Sequence, residues 1–501
     1  MTAPDRPLAV LWQWAEDAPL RPAIAGTSRS LTYAQLKTSI VQAAESLRTR
    51  GVRPDDRVLI AAENNVACVV LLFAVQLLKA WPALINARIA LGEFVAMQAC
   101  TTPRLVIFAI EDAPAAAHLA RAMDCEGSEQ ISGGEVIFGQ AAAQVPSEPQ
   151  TLSAVEQVGL LIFTSGTLGT PKAVMWSHAA LSNLGRVLAA SRQTSAGDIV
   201  HGVAPLSHIM GMANLMASIH AGATLHLVPR LKVEEVVRAI AQGTLTHLSF
   251  VPMVYTKLVE YIAAHSVDVS RHGLRYISCG GAPLDPCLKR KVESALGLRL
   301  VNAYGLTECA PGLRSRPDRD AVPECVGWPE AGVEVRLVDM EGSDATVGEL
   351  WLRSATMMMG YYGDPAQTAE ALRPGGWLAT GDLARILDDG SVAIVGRKKE
   401  MIIRSGFNVY PAEVEAALNA IEPVLQSGVV GRTVADGNEE VVAFVQFRAG
   451  QSLTLQEIQS HLHASIAAYK CPSRIVILDS LPTGATGKIW KARLAQMAAQ
   501  P

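Results

Sequence analysis

Residues 158–173 read VGLLIFTSGTLGTPKA: an apolar run is followed by small, hydroxyl-bearing and glycine residues, and the stretch ends in Lys172 and Ala173. The apolar run predicts a buried strand, and the pattern beyond it predicts a helix near His178–Ser191. In such a loop, backbone N–H groups can approach phosphate oxygens closely, and Lys172 adds a positive charge. The stretch therefore indicates either a phosphate-binding loop before a helix or an ordinary solvated turn.

The spacing of this loop differs from that of the common P-loop. Pro171 stands where that motif requires glycine before its lysine, and Ala173 stands where serine or threonine should follow. The sequence therefore disfavours an ordinary P-loop kinase or GTPase.

The sequence around the loop alternates between amphipathic stretches and short β-branched runs. Leu36–Arg48 is amphipathic, whereas Arg57–Ala61 and Leu105–Ile110 are β-branched, and the alternation returns from Val158 to about Asp339. Between these regions, residues 111–155 are rich in Ala, Gln, Ser and Gly, which predicts a surface excursion, part helix and part loop. We predict an α/β fold made of layered subdomains.

The pattern changes in the last third of the chain. From Gly348 onward, short strands separated by Gly or Pro turns predict an antiparallel β subdomain. A compact α+β segment follows the basic cluster Arg397–Lys399. We therefore predict a large N-terminal domain over residues 1–396 and a small α+β C-terminal domain over residues 397–501.

The composition excludes several classes of protein. Half of the 501 residues are apolar and 18% are charged, so the chain can bury a large core and is not intrinsically disordered. The 43 basic and 47 acidic residues give a net charge of −4, too small a field to hold a nucleic acid or an anionic membrane. A small anion such as a nucleotide remains compatible, because a few local cations can bind it.

Cysteine usage and apolar runs bear on location. The eight cysteines contain no C-x-x-C pair and have no histidine at metal spacing, so we predict buried free thiols. The N-terminal residues do not resemble a signal peptide, and the longest apolar stretch, Val66–Leu78, is too short to span a bilayer. We expect a soluble, cytoplasmic protein, and the sequence leaves a homodimer open.

Further motifs give the loop a specific context. The segment Phe163–Ala173 is similar to the signature of the adenylate-forming superfamily, which holds acyl- and aryl-CoA ligases, luciferases and the adenylation domains of nonribosomal synthetases. Within it, the chain resembles 4-chlorobenzoate–CoA ligase, 4-coumarate–CoA ligase and medium-chain acyl-CoA synthetases. The family's other motifs follow in order over nearly the whole chain: APLSHIMG at 204–211, GGAP at 280–283, NAYGLTE at 302–308, GWLATGD at 376–382, GRKKEMIIRSGFNVYP at 396–411 and LPTGATGK at 481–488.

The resemblance implies an ATP-dependent, AMP-forming acid–CoA ligase. Such an enzyme transfers a carboxylate to the α-phosphorus of ATP, which yields an acyl-adenylate and pyrophosphate. It then transfers the acyl group to the thiol of coenzyme A and releases AMP. The implied cofactors are ATP, Mg²⁺ and coenzyme A.

The resemblance also assigns roles to motif residues. Thr307 would contact the α-phosphate, Glu308 would position Mg²⁺, and Lys488 would bridge the attacking carboxylate and the α-phosphate. Asp382 would accept the ribose hydroxyls, with Arg397 helping to hold the ribose. The implied contacts to the β- and γ-phosphates are Thr164, Ser165, Gly166, Thr167, Gly169, Thr170 and Lys172.

The base and the acid are implied to bind to other motifs. Adenine needs an apolar face on each side, and Gly281, Ala282, Pro283 and Tyr304 resemble the two faces that the family uses. The acid would lie beneath the adenylate. Its candidate lining residues are His208, Phe250, Gly281, Leu306 and Cys309.

The resemblance further implies that the C-terminal domain acts as a mobile cap. It would rotate between the two half-reactions about a hinge at residues 397–399, in which Lys399 absorbs the backbone change. The region of Gly406 would then face the pantetheine thiol.

Several alternatives stay open. Taken alone, Glu308 is an ordinary surface carboxylate and His208 an ordinary buried histidine, so the assignment depends on the ordered motifs. Leu168 stands where the family usually has a second hydroxyl residue. The APLSHIMG segment lacks the aspartate that binds an amino-acid ammonium, which leaves small aromatic acids and medium-chain fatty acids. The acceptor could instead be a carrier-protein thiol, or the chain could be a silent ligand-binding homologue, although retention of Lys488 argues against silence.

Overall fold

A computed structural model describes residues 6–139, 142, 153, 156–164, 171–316, 318–319, 325–339, 347–404, 407–434, 438–483 and 489–500. Contacts divide the chain into two compact units. Unit 1 comprises Met1–Asp320, Trp328–Glu334 and Leu352–Leu378, and unit 2 comprises Ala321–Gly327, Val335–Trp351 and Ala379–Pro501.

Amphipathic and apolar stretches form helices throughout the described residues. Several begin at a side-chain cap: the hydroxyl of Thr32 and the amide oxygen of Asn65 accept hydrogen bonds from the backbone N–H groups that begin α2 and α3. The helices are α1 (Pro7–Asp17), α2 (Tyr33–Thr49), α3 (Val66–Leu77), α4 (Leu91–Thr101), α5 (Pro114–Ala122), α6 (His178–Ser191), α7 (Ile209–Ala221), α8 (Val233–Ala241), α9 (Pro252–Ala264), α10 (Pro286–Leu296), α11 (Pro365–Ala371), α12 (Pro411–Asn419), α13 (Leu455–Ser465) and α14 (Lys491–Ala498).

The strands of the described residues are β1 (Pro22–Ala25), β2 (Ser30–Thr32), β3 (Arg57–Ala62), β4 (Trp81–Asn86), β5 (Leu105–Ala109), β6 (Ser128–Ile131), β7 (Gly134–Phe138), β8 (Val158–Thr164), β9 (Lys172–Ser177), β10 (Ile199–Gly202), β11 (Thr224–Leu227), β12 (His247–Phe250), β13 (Tyr276–Gly280), β14 (Leu300–Leu306), β15 (Cys309–Arg314), β16 (Cys325–Pro329), β17 (Glu334–Val338), β18 (Val347–Arg353), β19 (Gly360–Tyr361), β20 (Leu372–Arg373), β21 (Trp377–Ile386), β22 (Val392–Arg397), β23 (Ile402–Arg404), β24 (Phe407–Val409), β25 (Val424–Thr433), β26 (Glu439–Phe447) and β27 (Arg474–Ile477).

One sheet of unit 1 has the strand order β19-β9-β8-β4-β3-β5-β7-β6. Its centre, β8-β4-β3-β5, is parallel, and every residue of β3 is buried. The apolar stretch at residues 66–77 forms α3, which is buried almost throughout, as expected of a core helix between layers. In the part of the chain that the structure describes, no helix has the length and apolar character needed to cross a membrane.

The second sheet of unit 1 is parallel from β14 through β13, β12, β10 and β11 to β1, with β15 antiparallel to β14. The carboxyl ends of these parallel strands therefore meet at one edge, where ligands of open α/β sheets usually bind. Phe250 ends β12, Gly280 ends β13 and Tyr304 lies near the end of β14. The α/β prediction is confirmed.

Unit 2 is antiparallel in its first part and α+β in its second. Strands β21 and β22 form a hairpin, and Cys325 and Gly327 of β16 pair with β22. Farther along the chain, α12 and α13 cover the sheet β25-β26-β27. The predicted change to short antiparallel strands after Gly348 is therefore confirmed.

Three local predictions are wrong or incomplete. The loop at 164–172 does not lead directly into a helix, because Lys172–Ser177 forms β9 antiparallel to β8 before α6 begins. The predicted surface excursion contains the hairpin β6–β7, which pairs with β5 and buries Val136 completely. All eight thiols are free, but Cys287 is exposed and Cys100 and Cys125 are partly exposed.

Candidate active site

Thr164 and Lys172 lie directly opposite each other at the open end of the β8–β9 hairpin. Both side chains are partly exposed, so the strand ends present a hydroxyl and an ammonium group to an incoming ligand. The loop residues Ser165, Gly166, Thr167, Leu168, Gly169 and Thr170 lie outside the described residues. The structure therefore shows β8 and β9, the two strands that the loop connects.

The short strand β19 brings a tyrosine to the same place. Tyr361 pairs with Val174 of β9, and its ring centroid lies 5.0 Å from Nζ of Lys172. Its hydroxyl donates a hydrogen bond of 2.8 Å to Oε1 of Glu308. Burial and the neighbouring Glu308 carboxylate raise the pKa of Tyr361, so this hydroxyl stays protonated and remains a donor.

The turn that carries Thr307 and Glu308 joins β14 to β15 and is held from two sides. Trp176 of β9 donates its indole N–H to the carbonyl oxygen of Thr307 at 2.9 Å. The backbone N–H of Met358 donates to the carbonyl oxygen of Glu308 at 2.8 Å. The turn that carries Thr307 and Glu308 is thus in contact with β9, which begins at Lys172, and with the segment Met358–Tyr361.

The donor set at this turn fits a hard cation bound mainly by phosphate and water. Among the described residues, the hydrogen bond to the Glu308 carboxylate is made at Oε1, which leaves Oε2 for a metal ion. No group of three or more His, Cys, Asp or Glu side chains suited to a metal ion occurs in the described part of the chain. A single carboxylate is nevertheless a common protein contribution to Mg²⁺ when nucleotide phosphates supply other ligands.

The glycines at the end of β13 form a second surface beside Tyr304. Gly280 pairs with Ala303, the residue before Tyr304, so the two motifs are neighbours in the sheet. Gly281 has φ +79°, a backbone conformation that favours glycine. Ala282 is partly exposed and Pro283 is exposed. These residues leave an open surface of the kind that a flat base needs.

The predicted acid-binding residues differ in exposure. His208 is partly exposed and immediately precedes α7, whereas Phe250 and Cys309 are buried, with exposed fractions of 2% and 0%. Leu306 pairs with Cys309 across the β14–β15 turn. Burial, with a smaller contribution from the Glu308 charge, raises the pKa of Cys309 to about 12, so this thiol stays protonated near neutral pH.

The segment before His208 is fixed by two close approaches. Asn64 donates its amide hydrogens to the carbonyl oxygens of Gly202 and Ala204 at 2.9 and 3.0 Å. A Cβ on Gly211 would lie 2.1 Å from the carbonyl oxygen of Pro205, so only glycine fits there. The orientation of the start of α7 is therefore set by buried contacts.

Unit 2 contains a separate acidic and basic pair. Asp382 of β21 lies opposite Arg397 of β22, and Nε of Arg397 is 2.9 Å from Oδ1 of Asp382. Asp382 is buried, whereas the Arg397 side chain is 45% exposed. Lys399 is exposed in the 3-10 turn Lys398–Glu400. Gly406 and Lys488 fall outside the described residues.

Comparison with known proteins decides the family. The model of the AMP-binding enzyme family matches residues 11–362, and that of the AMP-binding enzyme C-terminal domain matches residues 413–488. The chain belongs to the AMP-binding enzyme family. This AMP-binding enzyme is a ligase of the AMP-forming type, so the predicted adenylate-forming family is confirmed.

Individual relatives match over nearly their whole length. Feruloyl-CoA synthase from Amycolatopsis sp is 32% identical over 96% of both chains. Indoleacetate–CoA ligase from Aromatoleum aromaticum is also 32% identical over 96% of both chains. The structure of o-succinylbenzoate CoA synthetase from Bacillus subtilis with its acyl-adenylate intermediate is 25% identical, with a TM-score of 0.81 over 97% of both chains.

The sequence motifs did not identify all of the groups around the site of this AMP-binding enzyme. Tyr361 and Trp176 lie outside the quoted motifs, yet their side chains hold Glu308 and Thr307. Met210 lies in the APLSHIMG motif without an implied role, but its methyl group lies 3.5 Å from where a Cβ on Gly281 would be. Adjacent tyrosines in GYYGDP at 360–365 are the signal that could have drawn attention to Tyr361.

Proposed function

We propose that this AMP-binding enzyme activates an apolar carboxylic acid as its acyl-adenylate and transfers the acyl group to coenzyme A. The observation that carries the proposal is the convergence of Lys172, Tyr361 and Glu308 beside the carboxyl edge of a parallel sheet. This arrangement offers an ammonium group and a carboxylate to one polyphosphate, which is what ATP and its divalent ion require. The similarity to feruloyl-CoA synthase and indoleacetate–CoA ligase, whose names state this activity, supports the acyl transfer to coenzyme A.

In the first half-reaction, a carboxylate oxygen of the acid attacks the α-phosphorus. The bond between that phosphorus and the bridging oxygen of pyrophosphate breaks, and pyrophosphate leaves with the bonding electron pair. We assign Thr164, Lys172 and the loop between them to the β- and γ-phosphates, and Thr307 to the α-phosphate. The Lys172 ammonium group and the hydrogen-bond donors at these places would stabilise charge that grows on the leaving phosphates. Mg²⁺, when bound at Glu308, supplies further charge neutralisation.

Other segments are assigned to the adenine and the ribose, and Lys488 is assigned to the reacting groups. Gly281, Ala282, Pro283 and Tyr304 would enclose the adenine. We assign the ribose hydroxyls to Asp382, whose carboxylate Arg397 already orients by an ion pair. Lys488 would bridge the attacking carboxylate and the α-phosphate.

In the second half-reaction, the thiol of coenzyme A attacks the acyl carbon of the adenylate. The thiol loses its proton, a carbon–sulfur bond forms, and the bond from the acyl carbon to the phosphate oxygen breaks to release AMP. We propose that residues 397–501 turn about a hinge at 397–399 between the two half-reactions, with Lys399 in the hinge and Gly406 near the thiol.

The acid is proposed to be a small aromatic or a medium-chain aliphatic acid. Leu306 is partly exposed and offers apolar surface, and we assign the buried Phe250 and the buried, uncharged Cys309 thiol to the wall of the acid site. His208 would seat the carboxylate end, since it is partly exposed at the beginning of α7. We further propose a cytoplasmic location and a homodimer as the state to test first.

The deciding experiment is ATP–pyrophosphate exchange with a panel of acids. Ferulate, indoleacetate, other aromatic acids and C6–C12 fatty acids are compared with α-amino acids as controls. We expect exchange with at least one apolar acid and none with amino acids. Absence of exchange with every acid would refute adenylation and favour the silent-homologue alternative.

The acceptor is tested on the same enzyme. We expect AMP release to accelerate when coenzyme A is added with the active acid, and hydroxylamine to trap the adenylate when coenzyme A is absent. Exchange that is active while coenzyme A leaves AMP release unchanged would instead support transfer to a carrier protein.

A further inference from the structure

Tyr361 lies between the two charged groups that the proposed function assigns to ATP phosphates and their metal ion. We propose that Tyr361 is a positioning residue that fixes the Glu308 carboxylate and the Lys172 ammonium group relative to each other for binding of the Mg²⁺–ATP complex. This inference rests on the proposed function, since it takes the roles of Glu308 and Lys172 from it.

The tyrosine itself is firmly placed. Its backbone pairs with Val174 of β9, and its N–H donates to the hydroxyl of Thr368 at 2.9 Å. The preceding Gly360 has φ +146°, and a Cβ there would lie 2.6 Å from the methyl group of Thr368, so glycine allows α11 to approach. Only 9% of Tyr361 is exposed. Its hydroxyl therefore occupies a defined position with little freedom to follow Glu308.

Glu308 is held to the same segment by its backbone and by its side chain. The Met358 N–H donates to its carbonyl oxygen at 2.8 Å, and the Tyr361 hydroxyl donates to Oε1 at 2.8 Å. Fixing one carboxylate oxygen removes rotamers that would otherwise turn the carboxylate away from the ligand. The remaining oxygen, Oε2, is then presented in one orientation.

Lys172 interacts with the ring of Tyr361, whereas Glu308 interacts with its hydroxyl. Its Nζ lies 5.0 Å from the Tyr361 ring centroid, within the range of a cation–π interaction. The hydroxyl and the ring of Tyr361 thus act on different partners. A substitution that keeps the ring and removes the hydroxyl separates the two effects.

The test compares Tyr361→Phe with Tyr362→Phe as the matched control. Tyr362 is the adjacent residue, and its ring packs edge-on against Trp81 with centroids 6.1 Å apart. ATP affinity is measured by isothermal titration calorimetry, once with MgCl₂ and once with EDTA, so that the readout does not depend on catalysis. For each protein, the ratio of the two dissociation constants gives the gain due to Mg²⁺.

We expect the ratio of the two dissociation constants to be about tenfold smaller in Tyr361→Phe than in the wild type. This is the scale of one hydrogen bond to a charged group. Its ATP affinity in EDTA should stay within about twofold of the wild type, because the ring still faces Lys172. Tyr362→Phe should match the wild type in both buffers. Tyr361→Leu, which also removes the ring, should weaken ATP binding in EDTA as well.

Two outcomes overturn the inference. One is an unchanged Mg²⁺-dependent gain in Tyr361→Phe, and the other is an equal loss of affinity with and without Mg²⁺, which indicates a general packing role. Glu308→Gln alone leaves Tyr361 intact and provides a second measurement: it should lose the Mg²⁺-dependent gain. Adding Tyr361→Phe to it should not change the Mg²⁺ dependence further, and additive losses contradict the coupling. A wild type that fails to bind ATP more tightly in MgCl₂ would refute the proposed metal role of Glu308 itself, and the inference with it.

Discussion

Lys491, at the start of α14 in unit 2, offers a sharp test of how the C-terminal part of the chain is stabilised. Its ammonium group lies 2.9 Å from Oε2 of Glu400 and 2.9 Å from Oε1 of Glu415. The side chain of Lys491 is 25% exposed, and those of the two glutamates are 29% and 17% exposed. The cluster joins the 3-10 turn that contains Lys399 to helices α12 and α14.

Replacing Lys491 with methionine removes the charge and keeps most of the side-chain volume. Two partly buried carboxylates are then left close together without a cation. Removing one partner of a fully buried ion pair costs about 3–5 kcal/mol, and the partial exposure here reduces the expected loss to about 2–3 kcal/mol. Lys491→Arg should cost under about 1 kcal/mol because it keeps the charge.

The assay is urea unfolding of the full chain, supported by hydrogen exchange of residues 411–419 and 491–498. We expect Lys491→Met to destabilise the transition that includes these helices and to increase their exchange. Lys232→Met is the control, since it breaks an exposed pair with Glu235 and should change stability by at most about 0.5 kcal/mol. Equal effects of the two methionine variants would refute the reasoning about burial.

The difference in free energy of unfolding between the wild type and Lys491→Met should depend on pH, which checks its electrostatic origin. Burial lowers the pKa of Lys491, but Glu415 and Glu400 outweigh this effect, so the pKa is raised above its ordinary value. A raised pKa in the folded state means that the stabilisation is fully present below the unfolded-state pKa of about 10.4 and is lost as pH rises above it. The gap between wild type and Lys491→Met should therefore be constant from pH 7 to about 9 and shrink above about 10.5.

Three further predictions concern the reaction and the fold around it. Lys488→Ala should abolish ATP–pyrophosphate exchange yet still convert supplied acyl-adenylate to thioester, and normal exchange would contradict its role. Lys399→Pro should keep pyrophosphate release and stop thioester formation, whereas equal losses in both half-reactions would argue against a hinge. Gly211→Ala should destabilise the chain by about 2–3 kcal/mol in urea unfolding, because its Cβ would lie 2.1 Å from the Pro205 carbonyl oxygen, and a wild-type midpoint would show that α7 can shift freely.

Periodicity predicted those elements whose own sequence dictates a buried face. The predicted helix at His178–Ser191 has the bounds of α6, and Arg57–Ala61 falls within β3. The hairpin β6–β7 was missed because its first strand, Ser128–Ile131, is polar and exposed at three of four residues. Its position depends on pairing with β7, a partner that a local pattern does not reveal.

The candidate site divides along the same line. Residues in contiguous motifs, such as Thr307 and Glu308, could be predicted from the sequence because neighbouring residues identify the motif. The groups that hold them could not, since Trp176 is 131 residues from Thr307 and Tyr361 is 53 residues from Glu308. Such contacts follow from the order of strands in the sheet. That order cannot be predicted from the spacing of residues or from composition.

These long-range contacts explain how separate motifs can act on one ligand. Strand β9 begins with Lys172, carries Trp176 to the Thr307 carbonyl and pairs with β19, whose Tyr361 reaches Glu308. These contacts are hydrogen bonds and a strand pairing at buried or partly buried places. We therefore expect a shift of β9, β19 or the β14–β15 turn to displace the other two. The net charge of −4 is therefore no guide to phosphate binding. The charges proposed to meet the phosphates are few, and their effect depends on how rigidly β9, β19 and the β14–β15 turn hold them together.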